Sequence, residues 1–337
     1  MSTRRLRFPL LVIIPCLLAL PSPLLPAMKQ SAANPANSSS SSEEKAFARM
    51  DAFVVSKKYE KVESLIESII TQGTPPARAY FRLGRAYIDH DEWQRAADWL
   101  EKSLNAQEGN DQAHLLLGVA YRELKQPEQA EREFMKAVSL SPRSDVNAYF
   151  AGQQLLLDLK YEAALSYLYQ AVKSNPRNAS AYRALGTTQV HLGNYGLAEP
   201  YYRKAVEVLG GSAPSDPGPL LDLSFILLLG HDPAKVEEAL ELAKRAAKIQ
   251  PSSGSAHYLV GKALMSQGRA KEAVPELVLA IRINPEDSKP HFQLALAYER
   301  LGEKEKARAE RQALAKTKQR ANQQGMASGS VLPNSPE

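Results

Sequence analysis

The sequence predicts an all-α solenoid of about eight helix-turn-helix units, and three observations carry that prediction. Small residues recur at intervals of 34, at Gly84, Gly118, Gly152 and Gly186 and again at Ala96, Ala130, Ala164 and Ala198. Within each period the apolar positions step by three and four residues, the spacing of one helical face. Ala, Leu, Glu, Lys, Gln and Arg, the strong helix formers, dominate from Glu43 to Gln324.

Each element of a unit has a physical reason. Leu83, Gly84 and Tyr87 mark one face of a first helix; Ala96, Leu100 and Ser103 mark the facing side of a second. Glycine or alanine is needed where two antiparallel backbones approach closely, because a larger side chain holds the helices apart. Short polar turns such as Asp89, His90, Asp91 separate the two helices. Pro142 and Pro176 close their units, since proline cannot continue a helix and resets the chain for the next one. A chain of 337 residues would otherwise suggest two or three separate cores. Repeat units escape that limit, because each buries its apolar face only against its neighbours.

The units read as 43–76, 77–110, 111–144, 145–178 and 179–212, then 220–253, 254–287 and 288 to about 321. Met50 and Val62 replace the small residues in the first unit, as a terminal repeat with one free side allows. Residues 213–219, rich in Pro, Gly and Ser, read as an inserted loop, which suggests a five-unit segment followed by a three-unit one. Leu227 stands in the glycine slot of the sixth unit. After the interruption the rhythm resumes with Gly261, Ala273, Ala280 and Pro285, and then Ala295, Tyr298 and Ala307. The last unit ends in a polar helix carrying Lys304, Lys306, Arg308, Arg311, Lys316, Lys318 and Arg320, suited to a wettable end cap, and 322–337 read as a disordered tail.

This pattern resembles the tetratricopeptide repeat, and Leu117, Gly118, Tyr121, Ala130, Phe134, Ala137 and Pro142 match it best. The resemblance covers roughly four-fifths of the chain. It implies a right-handed superhelix whose inner face is built from the first helix of each unit, with extended peptides or short helices laid along it. The corresponding residues are Phe47, Phe81, Arg85, Leu115, Val119, Arg122, Tyr149, Gln153, Arg183, Tyr258, Lys262 and Phe292. Aromatic and aliphatic residues alternate with cations there, a composition that anchors apolar side chains while arginine holds a carboxylate or carbonyl. The Lys and Asn clamp that grips the acidic tails of cytosolic chaperones is not matched: Phe81 with Arg85, and Leu115 with Val119, stand in its place.

The amino terminus reads as an export signal. Arg4, Arg5 and Arg7 precede the apolar run Phe8–Leu20, and cleavage is expected after Ala27. Pro9, Pro15, Pro21 and Pro23 interrupt the stretch, whereas a spanning helix needs about 20 apolar residues in a row. The alternative is an uncleaved segment that anchors the chain in a membrane. Pro15 before Cys16 argues against a lipoprotein signal, and Arg7 argues against a twin-arginine one. Residues 28–42, with their serine run, read as a disordered linker. The sequons at Asn37 and Asn178 matter only in a host that glycosylates such sites, and chance accounts for them.

Chemistry is not expected. The formal charge of +5 falls to +2 once Arg4, Arg5 and Arg7 are removed, too little for a nucleic-acid footprint. Cys16 is the only cysteine and lies in the expected signal, a usage compatible with an oxidising compartment. The HExxH, GxSxG and GxGxxG patterns do not occur, and Gly254 to Lys262 lacks both the spacing and the Ser or Thr of a phosphate loop. His114, His257 and His291 occupy equivalent places in their units and read as packing residues; His90, His191 and His231 lie in or beside turns. No enzyme activity, cofactor or metal is therefore expected. The expected function is a protein-interaction scaffold for a protein or peptide ligand in an envelope or secreted compartment. The alternative is a non-catalytic adaptor that presents substrate to a secretion, pilus-assembly or envelope-biogenesis complex.

Overall fold

In the computed structural model, which describes residues 41–210, 216–230 and 232–327, every regular element is a helix. In chain order these are α1 (Ser41–Val55), α2 (Tyr59–Thr71), α3 (Pro76–Asp89), α4 (Trp93–Ala106), α5 (Asp111–Glu123), α6 (Pro127–Leu140), α7 (Asp145–Leu157), α8 (Tyr161–Ser174) and α9 (Ala179–His191). They continue with α10 (Tyr195–Leu209), α11 (Gly218–Leu227), α12 (Pro233–Ile249), α13 (Gly254–Ser266), α14 (Ala270–Ile283), α15 (Ser288–Arg300) and α16 (Lys304–Ala327). Odd-numbered helices open a unit and even-numbered helices close it. The expected export signal, its linker up to residue 40, and residues 213–215 of the expected inserted loop lie outside the described residues.

The described residues pack as two bodies, divided between Thr188 and Gln189 inside α9. In the first body α3 packs on α4, α5 on α6 and α7 on α8, while α4 meets α5 and α6 meets α7. In the second, α10 meets α11, and each of α11 to α15 packs on the helix that follows it. Both bodies therefore grow by burying one pair against the next. The division falls before the Pro- and Gly-rich stretch that the sequence marks as a break.

Why the 34-residue glycine is needed is visible at Gly118. A Cβ placed there would lie 2.7 Å from Cδ1 of Phe134 on the second helix of the same pair, well inside van der Waals contact. At Gly261 the same construction meets Leu277 Cγ at 2.6 Å. The large residue of the second helix fills the volume that the glycine leaves. In the first pair Met50 and Val62, which replace the small residues, are fully buried.

The repeat also appears in the backbone. Lys57, Asp91, Lys125, Leu159, Gly193, Gly268 and Gly302, each in the turn between the two helices of a pair, all have φ between 54° and 79°. This is the left-handed C′ residue of a Schellman ending. The next residue donates its N–H back across it: Gln126 N to Tyr121 O at 2.9 Å, Lys160 N to Leu155 O at 2.8 Å, Arg269 N to Leu264 O at 2.9 Å. Four of the first helices are capped by side chains. Asn110 accepts from Ala113 N, Ser144 from Asn147 N, Ser253 from Ala256 N and Asp287 from Lys289 N.

Two boundaries differ from the sequence reading. The first helix of the sixth pair begins at Gly218 rather than 220, because Pro219 fits the first turn of a helix, where no backbone N–H is needed. The final helix runs to Ala327, past the 321 expected, since Ala315–Ala327 contains no proline and good helix formers. Asn178, noted above as a sequon, is buried, and its side-chain amide donates to Asp145 Oδ2 at 2.9 Å. Among the described residues no helix is long and apolar enough to cross a membrane.

Candidate functional site

The first helices carry the candidate face, and each body presents its own portion. In the first body, Phe47, Leu115, Val119, Tyr149 and Gln153 are buried, which corrects their assignment as open ligand contacts. Phe47 is part of the core, with the Arg82 guanidinium 4.8 Å from its ring centroid. Tyr149 meets Phe150 edge-on at 5.4 Å and accepts a hydrogen bond from Gln153 Nε2 at 3.0 Å. Arg122 donates from Nη1 to Gln153 Oε1 at 3.0 Å, which ties α5 to α7. Its guanidinium also lies 5.4 Å from the Phe150 ring and 3.5 Å from Glu123 Oε1. Burial lowers the Arg122 pKa, offset by Glu123. A cation in that setting is part of the architecture. Phe81, Arg85 and Arg183 are half-buried, and they are the predicted residues of this body that keep substantial accessible surface.

The second body keeps its predicted residues more open. Phe292 on α15 is 50% exposed, and Tyr258 and Lys262, one turn apart on α13, are half-buried. Burial, followed by Asp287, pushes the Tyr258 hydroxyl up to about 12. Burial, followed by the like charge of Lys289, pulls Lys262 below the ordinary lysine range. Lys262 Nζ lies 5.2 Å from the Phe225 ring centroid. An apolar anchor beside a partly desolvated cation is the arrangement that a polypeptide ligand with both characters uses.

The three equivalent histidines do more than pack. His114 Nδ1 lies 2.7 Å from Glu133 Oε2, His257 Nδ1 2.6 Å from Glu276 Oε2, and His291 Nδ1 2.6 Å from Glu310 Oε2. The second ring nitrogen faces a backbone carbonyl in two of them, Glu108 O at 3.2 Å and Pro251 O at 3.1 Å. Both partners are acceptors, so each nitrogen of these two rings has an acceptor within hydrogen-bond reach. The sequence held the signal in the constant interval of 19 from His to Glu. Among the described residues no group of three or more His, Cys, Asp or Glu side chains is arranged to hold a metal ion.

Tetratricopeptide-repeat models match residues 111–144, 157–217 and 234–288. The type IV pilus assembly protein PilF of Pseudomonas aeruginosa is 26% identical over 159 residues, 46% of this chain and 62% of PilF. The human protein O-mannosyl-transferase TMTC3 is 23% identical over 260 residues, 71% of this chain but 27% of TMTC3. The chain thus spans less than two thirds of either relative. The solved structure of P. aeruginosa PilF superposes with a TM-score of 0.56 at 19% identity, over 64% of this chain and 95% of that one. PilW, described as a widely conserved type IV pilus biogenesis factor, gives a TM-score of 0.55 at 19% identity, over 65% of this chain and 98% of that one. Periodic helix pairs, the glycine approach, the matched models and these neighbours agree: the chain belongs to the tetratricopeptide-repeat family.

Proposed function

We propose that the protein is a non-catalytic scaffold that takes an extended peptide or a helix on the first-helix face of its repeats, in an envelope or secreted compartment. The observation that carries this reading is the register of Phe81, Arg85, Arg183, Tyr258, Lys262 and Phe292. Each stands on the first helix of a pair, and each keeps accessible surface where the core residues beside it do not. Half-exposed aromatics next to cations supply apolar anchoring and charge-assisted hydrogen bonds to a polypeptide. The second helices contribute the large core residues Leu100, Phe134, Leu168 and Leu277 instead. Export rests on the basic and apolar start of the sequence, and the mature chain is proposed to begin after Ala27.

The test is mild crosslinking in the native host, followed by recovery of the tagged protein with whatever is bound. Wild type should recover a defined polypeptide that Phe81→Ala/Arg85→Ala and Phe292→Ala lose while retaining a helical circular dichroism spectrum. Undiminished recovery by both variants contradicts the assignment of the face. Amino-terminal sequencing of the exported protein tests the cleavage site.

A second reading has a specific observation in its favour: the likeness to PilF and PilW, both named for type IV pilus assembly or biogenesis. In that reading the chain is an adaptor that presents a substrate to an envelope assembly complex. A partner that turns over, rather than one recovered in fixed stoichiometry, distinguishes the two.

A further inference from the structure

The net charge of the chain resides on its last helix. Lys304–Ala327 contains seven Lys and Arg against Glu305 and Glu310, a net of +5 that equals the formal charge of the whole sequence, so the remainder sums to zero. Beyond Glu310 the helix carries Arg311, Lys316, Lys318 and Arg320 and no acid. Lys304, Arg308, Arg311, Ala315 and Lys318 follow one another at intervals of four and three, which places them on one helical face, and all five are exposed. That face runs for about 21 Å along the helix.

Neighbouring acids balance only part of this charge. Lys306 pairs with Glu303 at 2.5 Å, Arg311 with Glu299, and Arg320 with Glu286 at 3.5 Å. Glu310 is engaged by His291 at 2.6 Å. Lys304, Arg308, Lys316 and Lys318 make no side-chain hydrogen bond or ion pair among the described residues.

Packing does not call for these cations. Arg311 stands 34 residues after Leu277, and Leu100, Phe134, Leu168 and Leu277, in the same register of other second helices, are fully buried. In α16 that register holds a side chain 63% exposed. A solenoid end needs a wettable face, but acids and amides wet it as well as bases do. The charged residues of α2, in the first pair, are Glu60, Lys61, Glu63 and Glu67, all exposed and mostly acidic.

The make-up of the face selects the class of partner. Between its cations α16 exposes Ala309, Gln312, Ala315 and Gln319, with no aromatic or branched anchor of the kind that concentrates the binding energy of polypeptide interfaces. A bilayer of anionic headgroups needs no such anchor, since its surface potential attracts cations held within a Debye length. Without large exposed apolar side chains the helix adsorbs rather than inserts.

We propose that α16 docks the protein peripherally on an anionic lipid bilayer, with Lys304, Arg308 and Lys318 on one face and Lys316 beside them in contact with the headgroups. This surface is separate from the first-helix face, and the two assignments stand or fall independently.

The probe is sedimentation of the full chain with vesicles of phosphatidylcholine and phosphatidylglycerol, about three parts to one, against vesicles of phosphatidylcholine alone. The anionic vesicles should bind the protein, with affinity falling as salt is raised, and the neutral vesicles should not. Lys304→Gln/Arg308→Gln/Lys316→Gln/Lys318→Gln should weaken binding by roughly tenfold or more. Arg245→Gln/Lys248→Gln/Lys271→Gln/Arg282→Gln, which removes the same charge from other exposed positions of the second body, should leave binding intact. Circular dichroism of both variants verifies that the helices are retained. Bound anionic vesicles should also slow acetylation of Lys304, Lys316 and Lys318, read by mass spectrometry, while Lys248 and Lys271 react as in the free protein. Equal loss in the two variants, or protection spread over all these lysines, overturns the site in favour of net charge alone. Binding to both kinds of vesicle that survives the α16 variant overturns it in favour of the apolar amino-terminal stretch. Displacement of vesicle-bound protein by polyglutamate at a lower concentration of charge than the vesicles supply overturns it in favour of an acidic polypeptide, and failure to bind anionic vesicles at low salt overturns it outright.

Discussion

His114 Nδ1 and Glu133 Oε2 lie 2.7 Å apart, joining the first and second helices of the third pair, and the ring also faces the Glu108 carbonyl at 3.2 Å where the chain enters that pair. One side chain thus ties three segments together. Glu133→Gln replaces a charge-assisted hydrogen bond with a neutral one and should lower stability by about 1 kcal/mol, since the carboxylate retains some contact with water. A double-mutant cycle with His114→Phe, read by urea denaturation, should show a coupling of similar size. Additivity of the two substitutions would remove the fastener role.

Gly118 and Gly196 are both helical glycines and should respond in opposite directions. Gly118→Val drives a side chain into Phe134, already 2.7 Å from the position of a Cβ, and should cost about 1–3 kcal/mol. Gly196 in α10 has nothing within 4 Å, so Gly196→Ala should stabilise by about 0.5–1 kcal/mol through the unfolded chain. Thermal melts of the two variants decide it, and a loss in both would mean that the Gly196 surface is covered by something.

Leu159 carries two penalties at once: φ is 60° and the side chain is 58% exposed. Gly193, Gly268 and Gly302 fill the same place in other turns. Leu159→Gly should raise stability by a net of about 0.5–1 kcal/mol, the left-handed strain removed less the added freedom of glycine in the unfolded chain. A lower melting temperature would show that Leu159 is held by a contact worth more than that strain.

Lys262 supplies a test by pH. Its folded pKa lies below the ordinary 10.5, so between the two values the unfolded chain binds more protons and stability rises with pH. Below the folded value the full desolvation penalty is present. Lys262→Met should therefore melt above wild type at pH 7, with the gap narrowing as pH climbs toward 10.5. A constant gap across that window would mean that the lysine charge is not under strain.

The fold was legible because sterics write the period into the sequence. Gly84, Gly118 and Gly152 have to be small wherever Leu100, Phe134 and Leu168 cross them. Helix ends were less legible: the left-handed turn residue is Lys57, Asp91, Lys125 and Leu159 in the first body, four non-glycine residues in a glycine conformation. The face was half legible. Position along the first helix identifies Tyr258, Lys262 and Phe292, but the same positions hold Leu115, Val119 and Tyr149, which are buried in the first body. Periodicity says which residues are equivalent; it does not say which of them stay open. The His and Glu pairs were missed because each residue has an ordinary local explanation, a packing imidazole or a solvated carboxylate, and only the repeated interval joins them.

The most direct test of the binding face is site-specific photocrosslinking in the native host, with benzoylphenylalanine placed singly at Phe81 and Phe292 on first helices and at the exposed Arg132 on a second helix. The account predicts a discrete crosslinked polypeptide from Phe81 or Phe292 and none from Arg132; crosslinking from Arg132 with silence at both phenylalanines would contradict it and move the partner to the second-helix surface.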